Sequence, residues 1–354
     1  MSQGRRLPGG ARFLMLVSDR ADARRDEVRS GRRPCPEYLR LEERHDVELL
    51  DWSRLGDWAG GRSTRVSIAH AAAGLRRAAE FDAVFSDGEH VGVPLALGMR
   101  TRGPSRPHLM LGHHLTNGSK QQVFRWLRPQ ARITRVLLHS RRQVELASAR
   151  LGIPGDRLRF QPYFADSDFW TARPVSHEPL VVSVGREHRD YATLAAACRE
   201  LPVQVFIASG SLFSPSATHT QPATWPANVT AGFADHLTLR DRYARAAVVA
   251  VPLVPTDFQA GITTILEAMS MARPVVVSAT EGQRDVVEDG VTGVMVPPGD
   301  AGALREAIER LLADPAERAR LGANARAAVE ERFSLDSYAS SLAGHLEELA
   351  AAPG

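Results

Sequence analysis

A chain of 354 residues is long for a single core and comfortable for two domains of ordinary size. Hydrophobic residues make up 44%, charged residues 24% and aromatic residues 6%, which excludes disordered, collagen-like and coiled-coil chains. The isoelectric point is near 9.2, but the formal net charge is only +3 and the Arg pairs are scattered, so no nucleic-acid partner is expected.

The chain alternates short apolar runs with helix-patterned segments from one end to the other, the pattern of parallel sheets with crossover helices. In the first half strands are expected at 12–17, 47–50, 83–85, 108–111 and 135–138, with helices at 66–79, 91–100 and 141–151. The run Phe13 to Val17 is too short for a signal-peptide core, and no apolar run reaches transmembrane length. The Arg-rich segment Arg24 to Arg33 reads as a solvated surface loop, and Ser86 with Glu89 reads as a capping box opening the next helix. Gln161 to Pro179 is polar and Pro-interrupted, a linker with a boundary near residue 172.

In the second half strands are expected at 180–184, 203–208, 247–252, 274–278 and 293–296, and helices at 191–200, 237–245, 262–271 and 303–312. Ser209 to Pro226 is a low-complexity surface loop. Asp314-Pro315 opens a helix to Arg332, and Ser334 starts another to about Ala350. The expected domains are 1–172, 173–332 and a C-terminal helical segment, 333–354. Ligands of open α/β sheets bind at the carboxyl ends of strands, so residues just after strands are the ones to inspect.

Cys35 and Cys198 are the only cysteines, which supports neither a disulfide framework nor a Cys-rich zinc site and suits a cytoplasmic setting. No His-Glu-x-x-His spacing occurs, no metal is expected, and Asp166-Ser167-Asp168 lies in the linker, a poor place for ligation. The strongest local signal is Gln259 to Met269. Gly261 followed by Ile262, Thr263 and Thr264 at a helix start turns backbone N–H groups toward whatever lies above the strand ends, a site suited to an anion. Glu267 lies further along the same helix, where its carboxylate suits two sugar hydroxyls.

This segment, with Arg273 to Ser278, Asp289 to Asp300, Ser183 to Arg186 and Asn228 to Tyr243, resembles the nucleotide-sugar half of the large retaining glycosyltransferase family that includes sucrose synthases and bacterial polysaccharide enzymes. A looser resemblance runs through Phe85 to Glu89, Gly112 to His114 and Leu138 to Ser140. It implies an α/β chain of GT-B architecture, two Rossmann-like domains facing across a cleft, with the C-terminal helices crossing back. It further implies that Arg186 and Arg189 meet the diphosphate, that Gly261, Ile262, Thr263, Thr264 and Phe233 complete the nucleotide site, and that Glu267 holds the ribose. His113 matches the family's histidine near the donor sugar, although His114 is an equal candidate for that place. Asp87, Glu89 and His114 fall on the acceptor side. The first Glu of the family's pair is replaced by Gln259, an amide where the pattern has a carboxylate.

The activity the resemblance implies is a metal-independent, retaining transfer from a nucleotide-diphosphate sugar, UDP first among them, to a small-molecule or glycan acceptor, with Arg186, His113 and Gln259 at the reacting centre and no cofactor. Two alternatives stay open: a sugar-nucleotide epimerase of the same architecture, and a non-catalytic nucleotide-binding protein marked by Gln259.

Overall fold

The computed structural model describes residues 10–352 apart from 60, 62, 102, 104–105, 117, 210–218 and 221–223. It divides into two compact units: one comprises residues up to Ser30, Cys35–Gln161 and the chain from Asp336 onward, the other Gly31–Pro34 and Pro162–Leu335. The expected boundary near 172 thus lies inside the second unit, because Ala165 pairs with that unit's own chain, its N–H donating to the Phe333 carbonyl and its carbonyl accepting from Leu335.

The first unit is built on six strands, β1 (Phe13–Val17), β2 (Val47–Asp51), β3 (Ala83–Ser86), β4 (His108–Gly112), β5 (Arg135–Leu138) and β6 (Leu158–Phe160), in the order β2-β1-β3-β4-β5-β6. Every pairing is parallel. The strands are apolar throughout because both faces are covered: Leu14, Leu16 and Val84 enter one cluster with Phe81 and Leu95, while Met110, Val136 and Leu138 enter another with Phe124 and Leu158. From Asp336 onward the helix Leu335–Ala351 belongs to this unit, burying Tyr338, Leu342, Leu346 and Leu349 at helical spacing.

The second unit contains β7 (Glu178–Val184), β8 (Arg189–Asp190), β9 (Gln204–Ala208), β10 (His219–Thr220), β11 (Val229–Gly232), β12 (Ala246–Val251), β13 (Val275–Ser278) and β14 (Val294–Val296). Its main sheet, β11-β9-β7-β12-β13-β14, has the doubly wound order in which chain direction across the sheet reverses between β7 and β12. Alternate residues separate its two faces: Leu180, Val182 and Val249 pack with Tyr243 and Ile265, and Val181, Val248 and Val276 pack with Tyr191 and Ile308.

Two expectations change, and a third is largely beyond reach. Residues 24–29 of the segment 24–33 are not loop, since Ala21–Arg29 is a helix, although Ala21 is its one buried residue; only 30–33 turn as expected. Charge holds it, with Arg24 on Asp19 at 2.8 Å and on Glu27 at 3.1 Å and Arg25 on Asp22 and Glu42. Ser86 and Glu89 form no capping box; the Ser86 hydroxyl meets His108 Nε2 at 2.9 Å, and Glu89 is engaged elsewhere. The loop expected at 209–226 falls largely outside the described residues.

Candidate functional site

In each unit polar groups collect at the carboxyl ends of the strands flanking the point where strand order reverses. In the second unit the backbone leaves β7 through Gly185, at φ +115°, and enters the helix Ile262–Ser270 through Gly261, at φ +76°. Both are left-handed positions that suit glycine, and both are also crowded. A Cβ at Gly185 would stand 2.3 Å from Arg189 Nη2, and one at Gly261 would stand 2.8 Å from Val251 Cγ1 and 3.1 Å from the Arg189 guanidinium.

Arg189 is therefore sandwiched beneath the two turns, 3% exposed. Its Nε donates to the Val184 carbonyl at 2.8 Å, Nη1 to the Glu187 carbonyl at 2.8 Å and Nη2 to Thr264 Oγ1 at 3.5 Å. Among the described residues no carboxylate pairs with it, and burial pulls its pKa below the ordinary guanidinium value. Its hydrogen bonds go to neutral dipoles and, among the described residues, only the Glu187 charge acts on it from nearby, so burial outweighs its compensation. The adjoining helix start has no side-chain cap, so its first N–H groups and the Arg189 charge act on the same point. Arg186, half-buried, follows Gly185 directly; Thr263 is exposed and Thr264 is buried, its hydroxyl donating to the Val184 carbonyl at 3.2 Å.

Glu267 lies on the same helix and is 8% exposed. Tyr243 donates to its Oε2 at 3.2 Å. Burial pushes the carboxyl up to about 8, the Tyr243 hydrogen bond opposing that rise. Gln259 is 6% exposed, its Nε2 donating to the Gly282 carbonyl at 3.0 Å while its Oε1 has no partner. Gln283 returns the contact, donating from Nε2 to the Ala260 carbonyl at 2.8 Å. The amide at 259 is thus explained locally: a carboxylate there would face the Gly282 carbonyl with no donor to offer it. Phe233, 65% exposed, follows the edge strand β11.

In the first unit Ser18 follows β1 and Asp87 follows β3. Asp87 accepts from the Ser18 N–H and, at 2.9 Å, from its hydroxyl, which also lies 2.6 Å from His90 Nε2. Sequence reasoning did not select Ser18 or His90; their position after or near neighbouring strand ends was the available signal. Glu89 is buried and accepts from the His113 N–H at 2.9 Å, the His114 N–H at 3.1 Å and the Lys120 ammonium. Burial alone would raise its pKa, but the Lys120 and His113 charges and these bonds hold it well below the usual carboxylate range.

Glu89 therefore fixes the backbone of the two histidines. His113 Nε2 donates to the Asp87 carbonyl at 2.9 Å, which leaves its Nδ1 edge for other partners. A cavity of about 360 Å³ is lined by Ser63, Thr64, Ser67, Ile68, Glu89, His90, Pro94, His113 and His114. His139, its ring 5.8 Å from that of His113 and against the Gln161 carbonyl at 2.9 Å, is kept neutral, with burial and the neighbouring His113 pushing its pKa down to about 3. Asp166 accepts from the N–H groups of Asp168 and Phe169 at 3.2 and 3.3 Å, a turn rather than a ligand pair. Among the described residues no three His, Cys, Asp or Glu side chains gather as a metal ion requires, and no helix is long and apolar enough to cross a membrane.

Residues 179–314, which carry the sandwiched Arg189 and Glu267, match the family model described as Glycosyl transferases group 1. The match falls within the second unit. Relatives include the alpha-D-kanosaminyltransferase of Streptomyces kanamyceticus, 36% identical over 27% of this chain and 25% of that protein. Another is the D-inositol 3-phosphate glycosyltransferase of Xylanimonas cellulosilytica, 43% identical over 29% of this chain and 24% of that one. The matched region thus spans about a quarter of each relative.

Solved structures resemble nearly the whole chain. The sucrose-phosphate synthase of Thermosynechococcus elongatus has a TM-score of 0.72 at 20% identity, covering 97% of this chain and 100% of that one. Anabaena HepE, in complex with UDP-glucose, has a TM-score of 0.69 at 19% identity, covering 96% and 100%. The fold is GT-B, and the region similar to glycosyl transferases group 1 lies in its second Rossmann-like unit.

Proposed function

We propose that the chain is a retaining, metal-independent glycosyltransferase that moves a sugar from a UDP-linked donor to a hydroxyl acceptor. The observation that carries this reading is Arg189, a buried guanidinium without a carboxylate, held between Gly185 and Gly261 at the mouth of an uncapped helix. Such a point favours a group that gains negative charge as a bond breaks. The relationship to glycosyltransferases and the UDP-glucose held by HepE support a nucleoside diphosphate as that group.

In this reading Arg186 and the N–H groups of Ile262 to Thr264 hold the diphosphate, with Arg189 lending charge from beneath. Glu267 meets the ribose, and its raised pKa lets a neutral carboxyl both donate and accept. The unpartnered Gln259 Oε1 accepts from a donor-sugar hydroxyl. The acceptor oxygen bonds to the anomeric carbon on the face that the phosphate leaves, and the departing phosphate oxygen takes the acceptor proton. Positioning and charge stabilisation are then the protein's contribution.

The test is a thermal-shift screen against UDP, GDP, ADP and TDP, since a ligand that binds the native state raises stability by mass action. It is followed by incubation of the stabilising nucleotide's sugars with an acceptor panel, with and without EDTA. A shift with UDP and an EDTA-insensitive product of unchanged anomeric configuration are expected. Epimerised nucleotide sugar in the absence of acceptor would move the chain to the epimerase class, and no shift with any nucleotide would overturn the reading.

A further inference from the structure

Far from either candidate site in chemical character, the first unit presents an apolar tip ringed by arginine. The helix Gly118–Leu127 ends on Trp126 and Leu127, 73% and 48% exposed. Trp126 is the most exposed of the large apolar side chains among the described residues. Arg125 stacks over its ring at 5.4 Å, Arg100 donates from Nη1 to the Leu127 carbonyl at 2.6 Å, and Arg128 follows in a left-handed conformation, φ +50°.

All three arginines are exposed, and among the described residues none pairs with a carboxylate. Other arginines of this unit are balanced, among them Arg24, Arg25, Arg44 and Arg77, which all meet Asp or Glu. The imbalance is written into the sequence, because no Asp or Glu occurs from His90 through Val144.

We propose that this tip docks the protein on an anionic lipid surface. A soluble polyanion would use the arginines but gains nothing from an exposed Trp-Leu pair. An anionic bilayer uses both, the indole and leucine entering the headgroup boundary while the guanidinium groups meet lipid phosphates. The helix lies at the surface and does not span.

The test is co-sedimentation of the whole protein with vesicles of phosphatidylcholine alone and with an added third of phosphatidylglycerol, at low and high salt. Three forms are compared: the native chain, Trp126→Ser with Leu127→Ser, and Arg100→Gln with Arg125→Gln and Arg128→Gln. Circular dichroism melting verifies that each is folded. Binding to the anionic vesicles alone is expected, weakened by salt, with each multiple variant losing tenfold or more; a basic group near such a surface contributes about fivefold in partitioning. Equal binding to neutral vesicles, no binding to either, or undiminished binding by the Trp126 and Leu127 variant would overturn the proposal. So would a dimer in solution that the same variant abolishes, which would assign the tip to a second copy of the chain.

Discussion

The two units solve the same problem, polar chemistry at the ends of a parallel sheet, with opposite electrostatics. In the first, the buried groups are a carboxylate with its charge answered, Glu89 on Lys120 and two backbone N–H groups, and histidines held neutral, His108 near 4 and His139 near 3, both mainly through burial. In the second, a guanidinium lacks a carboxylate and a carboxyl is pushed up to about 8. The first site is internally satisfied and suited to hold shape; the second keeps a buried guanidinium without a paired carboxylate, the point where the proposed diphosphate would meet charge.

The contrast predicts opposite responses to pH, and the largest effect sits in the second site. A raised carboxyl pKa contributes stability that is complete below the unfolded value of about 4.5 and lost as pH rises through about 8. The native chain should therefore lose up to about 4 kcal/mol from this group between pH 5 and 8, and Glu267→Gln should remove that slope. Hydrogen exchange of the second unit, with urea melts at both pH values, measures it; an unchanged slope would show that Glu267 is ionised in the folded state. The buried histidines work the other way, since lowered values cost stability as pH falls below about 6.5.

Next in size is Lys120→Met, which strands the Glu89 charge. It should cost the first unit about 3 kcal/mol and move its acid sensitivity to higher pH, without changing protection in the second unit. Gln259→Glu should cost about 2 kcal/mol, because it loses the donor to Gly282 and sets a carboxylate against that carbonyl; stability at or above the native value would place residue 259 in a different environment. Smallest is Tyr243→Phe, at about 1 kcal/mol. It should raise the Glu267 pKa further, read by NMR titration of the carboxyl, and a fall instead would mean that the tyrosine is not the donor.

Most of the architecture was legible because parallel strands buried on both faces read as apolar runs; β5 (Arg135–Leu138) and the helix Arg141–Leu151 match their expected bounds. Elements without that signature escaped. The edge strand β11 is four residues long, mixed in character and largely exposed, β6 has only three residues, and the helix Ala21–Arg29 rests on ion pairs with Asp19 and Glu42 that periodicity does not see. Within the candidate site, Gly261 and the helix start are local features that a linear reading finds. The engagement of Gln259 with Gly282 and of Glu89 with His113 and Lys120 spans 23 to 31 residues and emerges only when the chain is folded. Arg189 was legible as a cation near the turn, but its place beneath the glycines was not.

The helix Leu335–Ala351 also sets an order of events during synthesis. It seals the first unit by burying Tyr338 and Leu342, pairing Ser341 with Gln161 at 2.8 Å and Glu348 with Arg135 at 2.6 Å. A ribosome delivers that helix only after the whole second unit has emerged, so the first unit waits with an uncovered apolar surface although its strands are made first. The second unit, continuous from Pro162 to Leu335 apart from a short segment at 31–34, is thus free to mature before the unit that precedes it, and a nascent chain stalled before residue 335 should be the species that chaperones hold.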